Sequence, residues 1–133
     1  MTFEKTQDRQ DDNPGQIHLL SAFDLRAGVE EDSFADAYHS FVQELYDAGL
    51  IIDARPMGRR VPDTPMDTDD TRAQQFFTIL TFRDRAHMDA AYAHIEARMR
   101  AVTGEHAAMY ARTANQIFTC WQDEVSFLKK GTP

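Results

Sequence analysis

The chain predicts a single α+β domain in which a four-stranded antiparallel sheet is backed by helices in the order βαββαβ. Three observations carry this expectation. Four short apolar runs have the length and β-rich composition of strands. Two longer segments repeat their apolar residues every three or four positions, the period of a helix face. With 42% hydrophobic and 11% aromatic residues in 133, the chain is rich enough to fill one core and too rich for a disordered polymer. The domain is expected over residues 16–125, between a flexible polar tail at 1–15 and a short C-terminal tail at 126–133.

The first strand is QIHLLSAFDL, from Gln16 to Leu25. Ile17, Leu19, Phe23 and Leu25 share one parity, and Leu20 and Ala22 share the other with His18 and Asp24. A helix follows in which Phe34, Ala37, Tyr38, Phe41, Val42, Leu45 and Tyr46 form an apolar stripe. Asp32 or Ser33 is its expected cap and Gly49 its stop. LIIDARPMG, starting at Leu50, reads as a second strand interrupted near Pro56, which brings no N–H to a ladder.

Val61 to Ala73 carries Pro62, Pro65, Asp63, Asp67, Asp69 and Asp70 without an apolar period, and is expected as a solvated flexible loop. QQFFTILTFR, Gln74 to Arg83, is the third strand. Asp84 can cap a second helix with a stripe of Met88, Ala91, Ile95, Met99 and Val102. A short helical piece, Glu105 to Thr113, then precedes a fourth strand, Asn115 to Val125.

If both helices cover one face of such a sheet, the opposite face meets water. Here neither parity is polar: Phe76 and Leu80 oppose Phe77 and Ile79, and Phe118 opposes Ile117 and Trp121. Leaving that second face bare would cost about 25 cal/mol per Å² of apolar area. A second copy stacked sheet against sheet would cover it, so a homodimer is expected.

Charge narrows the partners. Lys plus Arg number 14 and Asp plus Glu 22, a formal net charge of -8, with no cluster of cations to track phosphates, so no nucleic acid is expected. Cys120 is the lone cysteine and cannot form an intrachain disulfide, which fits a cytoplasmic protein. Residues 1–15 have neither the apolar core of a signal peptide nor that of an anchor, and no membrane partner is expected.

The succession QIHLLSAFDL, long helix, LIIDARPMG, QQFFTILTFR, long helix, short helix, NQIFTCWQDE resembles the dimeric α/β-barrel superfamily of ferredoxin-like proteins over about residues 16–125. The resemblance implies a ferredoxin-like βαββαβ fold with helices on one face, a sheet-to-sheet dimer, and a cleft between sheet and helices or within the barrel. That superfamily includes small monooxygenases, chlorite dismutase-like haem proteins, muconolactone isomerase-like enzymes and stress-responsive proteins of unclear activity. Its haem-degrading members use an Asn, a His and a Trp around the haem. The asparagines here, Asn13 and Asn115, and the single Trp121 do not sit on the matching elements, so those roles do not transfer and no cofactor is expected.

Candidate lining residues for a small apolar or aromatic ligand are His18, Arg55, Trp121 and Tyr38, with no catalytic residue assigned and no metal expected. His18 sits mid-strand among apolar neighbours, where it would serve as a general base in a wet interior or as a hydrogen-bonded interface histidine. Arg55 shares parity with Asp53, as a ligand-binding or interface pair. Tyr38 lies in the buried stripe with His39 on its flank, and Trp121 suits a pocket wall or an interface anchor. His87 and His94 are two turns apart, too far for one metal, and read as a solvated helix face. The acidic loop lacks the Gly and Glu of an EF-hand. Cys120, beside Phe118 and Ile117, reads as a small buried hydrophobe.

The leading expectation is a homodimeric small-molecule-binding ferredoxin-like domain, and the resemblance implies two alternatives, a cofactor-independent monooxygenase or isomerase-like enzyme and a non-catalytic stress-related interaction protein.

Overall fold

In a computed structural model that describes residues 15–100 and 104–124, the elements follow the expected order, with one strand divided. β1 is Ile17–Leu25, α1 Glu31–Asp47, β2 Asp53–Ala54, β3 Gly58–Arg59, β4 Phe76–Phe82, α2 Arg85–Arg100, α3 Gly104–Tyr110 and β5 Thr113–Gln122. All strand pairings are antiparallel, in the order β2-β4-β1-β5, with β3 also on β4. The fold is ferredoxin-like. The tails expected at 1–15 and 126–133, apart from Gly15, lie outside the described residues.

The second strand is two short pieces instead of one, and Pro56 between them is the reason. Ile52 N–H and Arg55 N–H donate to the Thr81 and Ile79 carbonyls at 2.9 Å, Pro56 has no N–H to continue, and pairing resumes at Gly58 opposite Phe77.

Register decides which parity meets the helices. Ile17 pairs with Phe82, Leu19 with Leu80, Ser21 with Thr78 and Phe23 with Phe76, and the large members of this set enter the core with Phe34, Tyr38, Phe41, Leu45 and Ile51. His18, Leu20 and Ala22 therefore point outward, opposite Thr81, Ile79 and Phe77. On β5 the register slips between Ala22 and Asp24, where Asn115 takes φ +57, a bulge that the short Asn side chain tolerates. The Asn115 amide donates to Asp24 Oδ2 at 2.9 Å and fixes the bulge.

The first helix begins at Glu31, after an extended Glu30 that makes no side-chain cap bond, and not at an Asp32 or Ser33 cap. Ser33 instead accepts from Arg112 Nε at 2.9 Å, which ties α1 to the segment before β5. Glu31 and Asp32 still place negative charge at the positive end of the helix. Gly49, at φ +71, and the Leu50 N–H bond to the Leu45 carbonyl end it in a Schellman turn. Asp84 caps α2 by accepting from the His87 N–H at 2.9 Å.

Candidate functional site

The helices do not fill the space they cover. A cavity of about 630 Å³ lies between the sheet and the three helices. Its floor is Leu19, Ser21, Thr78 and Leu80, its far wall Phe41 and Ile95, and α3 contributes His106, Met109 and Tyr110. The exposed residues in its lining, Asp89, Tyr92 and Glu96 on α2 with Phe118 and Cys120 on β5, mark the mouth. The gap has a simple origin: on α2 only His87 and Ala91 are buried among the described side chains, so this helix stands off the sheet.

Three polar groups of this lining are already engaged. Tyr38 packs on Phe34 at 6.1 Å and its hydroxyl donates to the Arg55 carbonyl at 2.9 Å. Burial pushes that phenol up to about 12, with Tyr46 and Asp53 adding to the shift. Gln116 donates to Thr113 Oγ1 at 2.7 Å, and Thr113 donates to the Tyr110 carbonyl at 2.8 Å.

His106 is different. Its ring stands edge-on to Phe41 at 5.1 Å and stacks on Tyr110 at 5.6 Å, and its Nδ1 is enclosed without a hydrogen-bond partner among the described residues. Burial lowers the imidazole below its ordinary 6.5, against a smaller opposing pull from Glu44.

The outward face is organised around His18. Its Nδ1 is 2.8 Å from Thr81 Oγ1 and its Nε2 2.9 Å from Asp123 Oδ1, while Trp121 lies 5.1 Å away, tilted over the ring. Both ring nitrogens are thus engaged. Of the four candidate lining residues, His18 and Trp121 come together here, Arg55 is exposed on the β2–β3 edge, and Tyr38 alone is in the cavity wall.

Four further expectations are corrected. His87 is not on a solvated face: it is 5% exposed, with Nδ1 accepting from Arg83 N–H at 3.0 Å and Nε2 donating to the Gly49 carbonyl at 2.8 Å, which pins α2 to the end of α1. His94 is half-buried, 2.6 Å from Glu44, where Arg98 also binds at 3.0 Å. Burial would raise the Glu44 carboxyl, but the His94 hydrogen bond, the Glu105 amide and Arg98 outweigh it and hold the group below its ordinary value. Cys120 is exposed, because β5 is an edge strand among the described residues, and desolvation still raises its thiol.

The acidic loop is knotted rather than free. The Arg60 guanidinium grips both Asp67 oxygens at 2.7 and 2.8 Å and the Asp69 carbonyl at 2.7 Å, and also meets the Arg72 carbonyl. Asp69 accepts from Arg72 Nε at 2.7 Å and from Thr71, which holds its carboxyl far below the carboxylate range. With the carboxylates so occupied, no group of three metal-ligating side chains forms among the described residues. The loop rims a second hollow of about 400 Å³ on the outward face, beside Leu20, Ala22, Phe77 and Ile117.

In the sequence His106 has no acidic or thiol neighbour suggestive of a site beyond Glu105, and it is not among the candidate lining residues. Nothing along the chain places its short helix against Phe41.

No helix among the described residues is long and apolar enough to cross a membrane. Residues 18–123 match the Family of unknown function (DUF6614). No curated protein matches the sequence. Among solved structures, a dimeric ferredoxin-like protein of unknown function from Thermobifida fusca YX is similar at TM-score 0.56 and 11% identity, over 81% of this chain and 91% of that one. A dimeric ferredoxin-like protein of unknown function from Jannaschia sp. CCS1 aligns at TM-score 0.57 and 14% identity, over 82% and 100%. SnoaB, a cofactor-independent oxygenase from Streptomyces nogalater, aligns at TM-score 0.59 and 9% identity, over 83% and 94%. At these identities the likeness is one of fold and transfers no catalytic residue.

Proposed function

The chain belongs to this family of unknown function, and we propose that it is a homodimeric domain that holds a small, largely apolar molecule between its helices and its sheet. The observation that carries the reading is the cavity of about 630 Å³, walled by aromatic and aliphatic side chains with a few polar groups among them. That size and lining are those of small-molecule sites, whereas packed interiors leave few voids larger than a water.

The dimer rests on the outward face. Trp121 is 43% exposed there, and Leu20, Phe77, Ile79 and Ile117 are only half-buried, an apolar surface that a second sheet would cover. The solved structures from Thermobifida fusca and Jannaschia, described as dimeric proteins of this fold, support a dimer. Stacking the outward faces leaves the helix-side cavity of each copy to its own chain.

Native mass spectrometry tests both parts. The expected spectrum is a dimer that carries added small-molecule mass, and that mass is absent from an Ile95→Trp variant whose indole fills the cavity. A bare monomer would refute the dimer, and a ligand retained unchanged by Ile95→Trp would move the site elsewhere.

A further inference from the structure

We infer that His106 is the polar anchor of the helix-side cavity, acting as a neutral hydrogen-bond donor, and that the ligand is an uncharged, mainly apolar molecule bearing an acceptor oxygen such as a ketone. This rests on the proposed role of the cavity as a binding site and narrows what it binds.

Charge comes first. Among the described residues no Lys or Arg lines the cavity, and the charged groups in its lining are Asp89 and Glu96 at the mouth. A carboxylate or phosphate ligand would shed its water without gaining a counter-charge from the lining. Uncharged ligands do not suffer that penalty.

The state of the imidazole comes next. Nδ1 is enclosed and has no partner among the described residues, which leaves Nε2 as the nitrogen His106 can offer to the cavity it lines. A buried N–H without an acceptor is costlier than a buried lone pair without a donor, which assigns the proton to Nε2. Accepting a second proton would put an N–H on enclosed Nδ1 with nothing to receive it. The charged groups nearby do not relieve this: Glu44 of α1 is engaged by His94 and Arg98 of α2 and by the Glu105 amide of α3. The other neighbours, Phe41 and Tyr110, present their rings. His106 is therefore built to donate to an oxygen and not to take a proton from carbon or oxygen, which requires a partner on the far nitrogen.

The remaining polar groups fit an oriented ring-bearing ligand. Ser21 and Thr78, paired across the sheet, place two hydroxyls on the floor, and Phe41, Tyr110 and Phe118 offer ring faces and edges around it.

Three naphthalenes of one shape test the inference on the full chain: 2-acetylnaphthalene, 2-ethylnaphthalene and 2-naphthoate, followed by calorimetry or ligand fluorescence. The ketone and the hydrocarbon are expected to bind, the carboxylate to bind weakest. His106→Phe is expected to lower the ketone-to-hydrocarbon affinity ratio about 3- to 10-fold, the range of one neutral hydrogen bond, while leaving the hydrocarbon affinity in place. His106→Gln, which keeps an N–H, is expected to retain most of the ratio, and it serves as the readout if the Phe variant fails to fold. A ratio unchanged in His106→Phe, or one lost equally in His106→Gln, would overturn the anchor while leaving the cavity as a binding site. Tightest binding by 2-naphthoate would overturn the uncharged class. If none of the three binds, the cavity reading itself falls, and the anchor with it.

Discussion

The two faces of the sheet are made from alternate residues of the same strands, yet they are finished in opposite ways. Toward the helices, Phe23, Phe76, Leu80 and Phe82 are buried, but the packing stops short and leaves a cavity containing a histidine with an unpartnered nitrogen. On the outward face, the apolar groups are half-open and the charged ones are paired, His18 with Thr81 and Asp123 and Arg60 with Asp67, although Gln74 Oε1 in the wall of the outward hollow is enclosed without a partner among the described residues. A histidine with spare hydrogen-bonding capacity inside an apolar wall suits a small ligand, and paired charges around an open apolar patch suit a protein surface.

The contrast can be broken most forcefully in the core. Phe82→Ala empties a site 2% exposed and is expected to remove about 3–5 kcal/mol of stability in a denaturant titration. A loss no larger than that of a surface substitution would mean the helix face is loosely packed throughout. Trp121→Ala, on the outward face, should weaken association by about 2 kcal/mol, roughly 30-fold, while changing monomer stability less, as sedimentation velocity over a dilution series would read. Equal dissociation in the variant and the parent would remove Trp121 from the interface.

Titration sharpens the reading of the cavity histidine. Because burial lowers His106 in the fold, the unfolded chain takes up its proton first as pH falls below the ordinary 6.5. The contribution of neutral His106 is thus complete above that value and is lost as pH falls toward the lower folded value. The melting temperature should drop between about pH 7.5 and 5.5 in the parent, and less steeply in His106→Phe. Identical slopes would place His106 in water in the native state.

The smallest effect is expected at the loop. Arg60→Ala removes the hub of 61–73 without touching the core, so limited proteolysis should quicken within the loop while the global melt stays nearly in place. Unchanged cleavage would show that Asp69 and its own hydrogen bonds hold the loop alone.

Much of this architecture was legible in residue order. The α1 stripe of Phe34, Tyr38, Phe41 and Leu45 is buried as its period predicts, Gly49 and Asp84 mark the helix boundaries, and Pro56 interrupts pairing where a missing N–H must. The candidate site was not legible in the same way. Along the chain His18 sits among apolar strand residues and His106 follows Glu105 at the start of a short helix, and neither pattern marks a site. What separates them is the company of residues 63 and 105 positions away for His18, and of a helix packed across α1 for His106.

The sequence by itself determined the alternation of strands and helices, because periodicity and turn chemistry are local and each acts within a few residues. It also determined that both sheet faces would be apolar. Tertiary structure alone decided which parity meets the helices, since a strand rotated by one residue satisfies the same local preferences. It likewise decided that α2 stands far enough from the sheet to leave a cavity and that the histidine beside that cavity has an enclosed nitrogen without a partner among the described residues. Cavities and unpaired groups are properties of how surfaces fail to meet, and no single stretch of chain contains both surfaces.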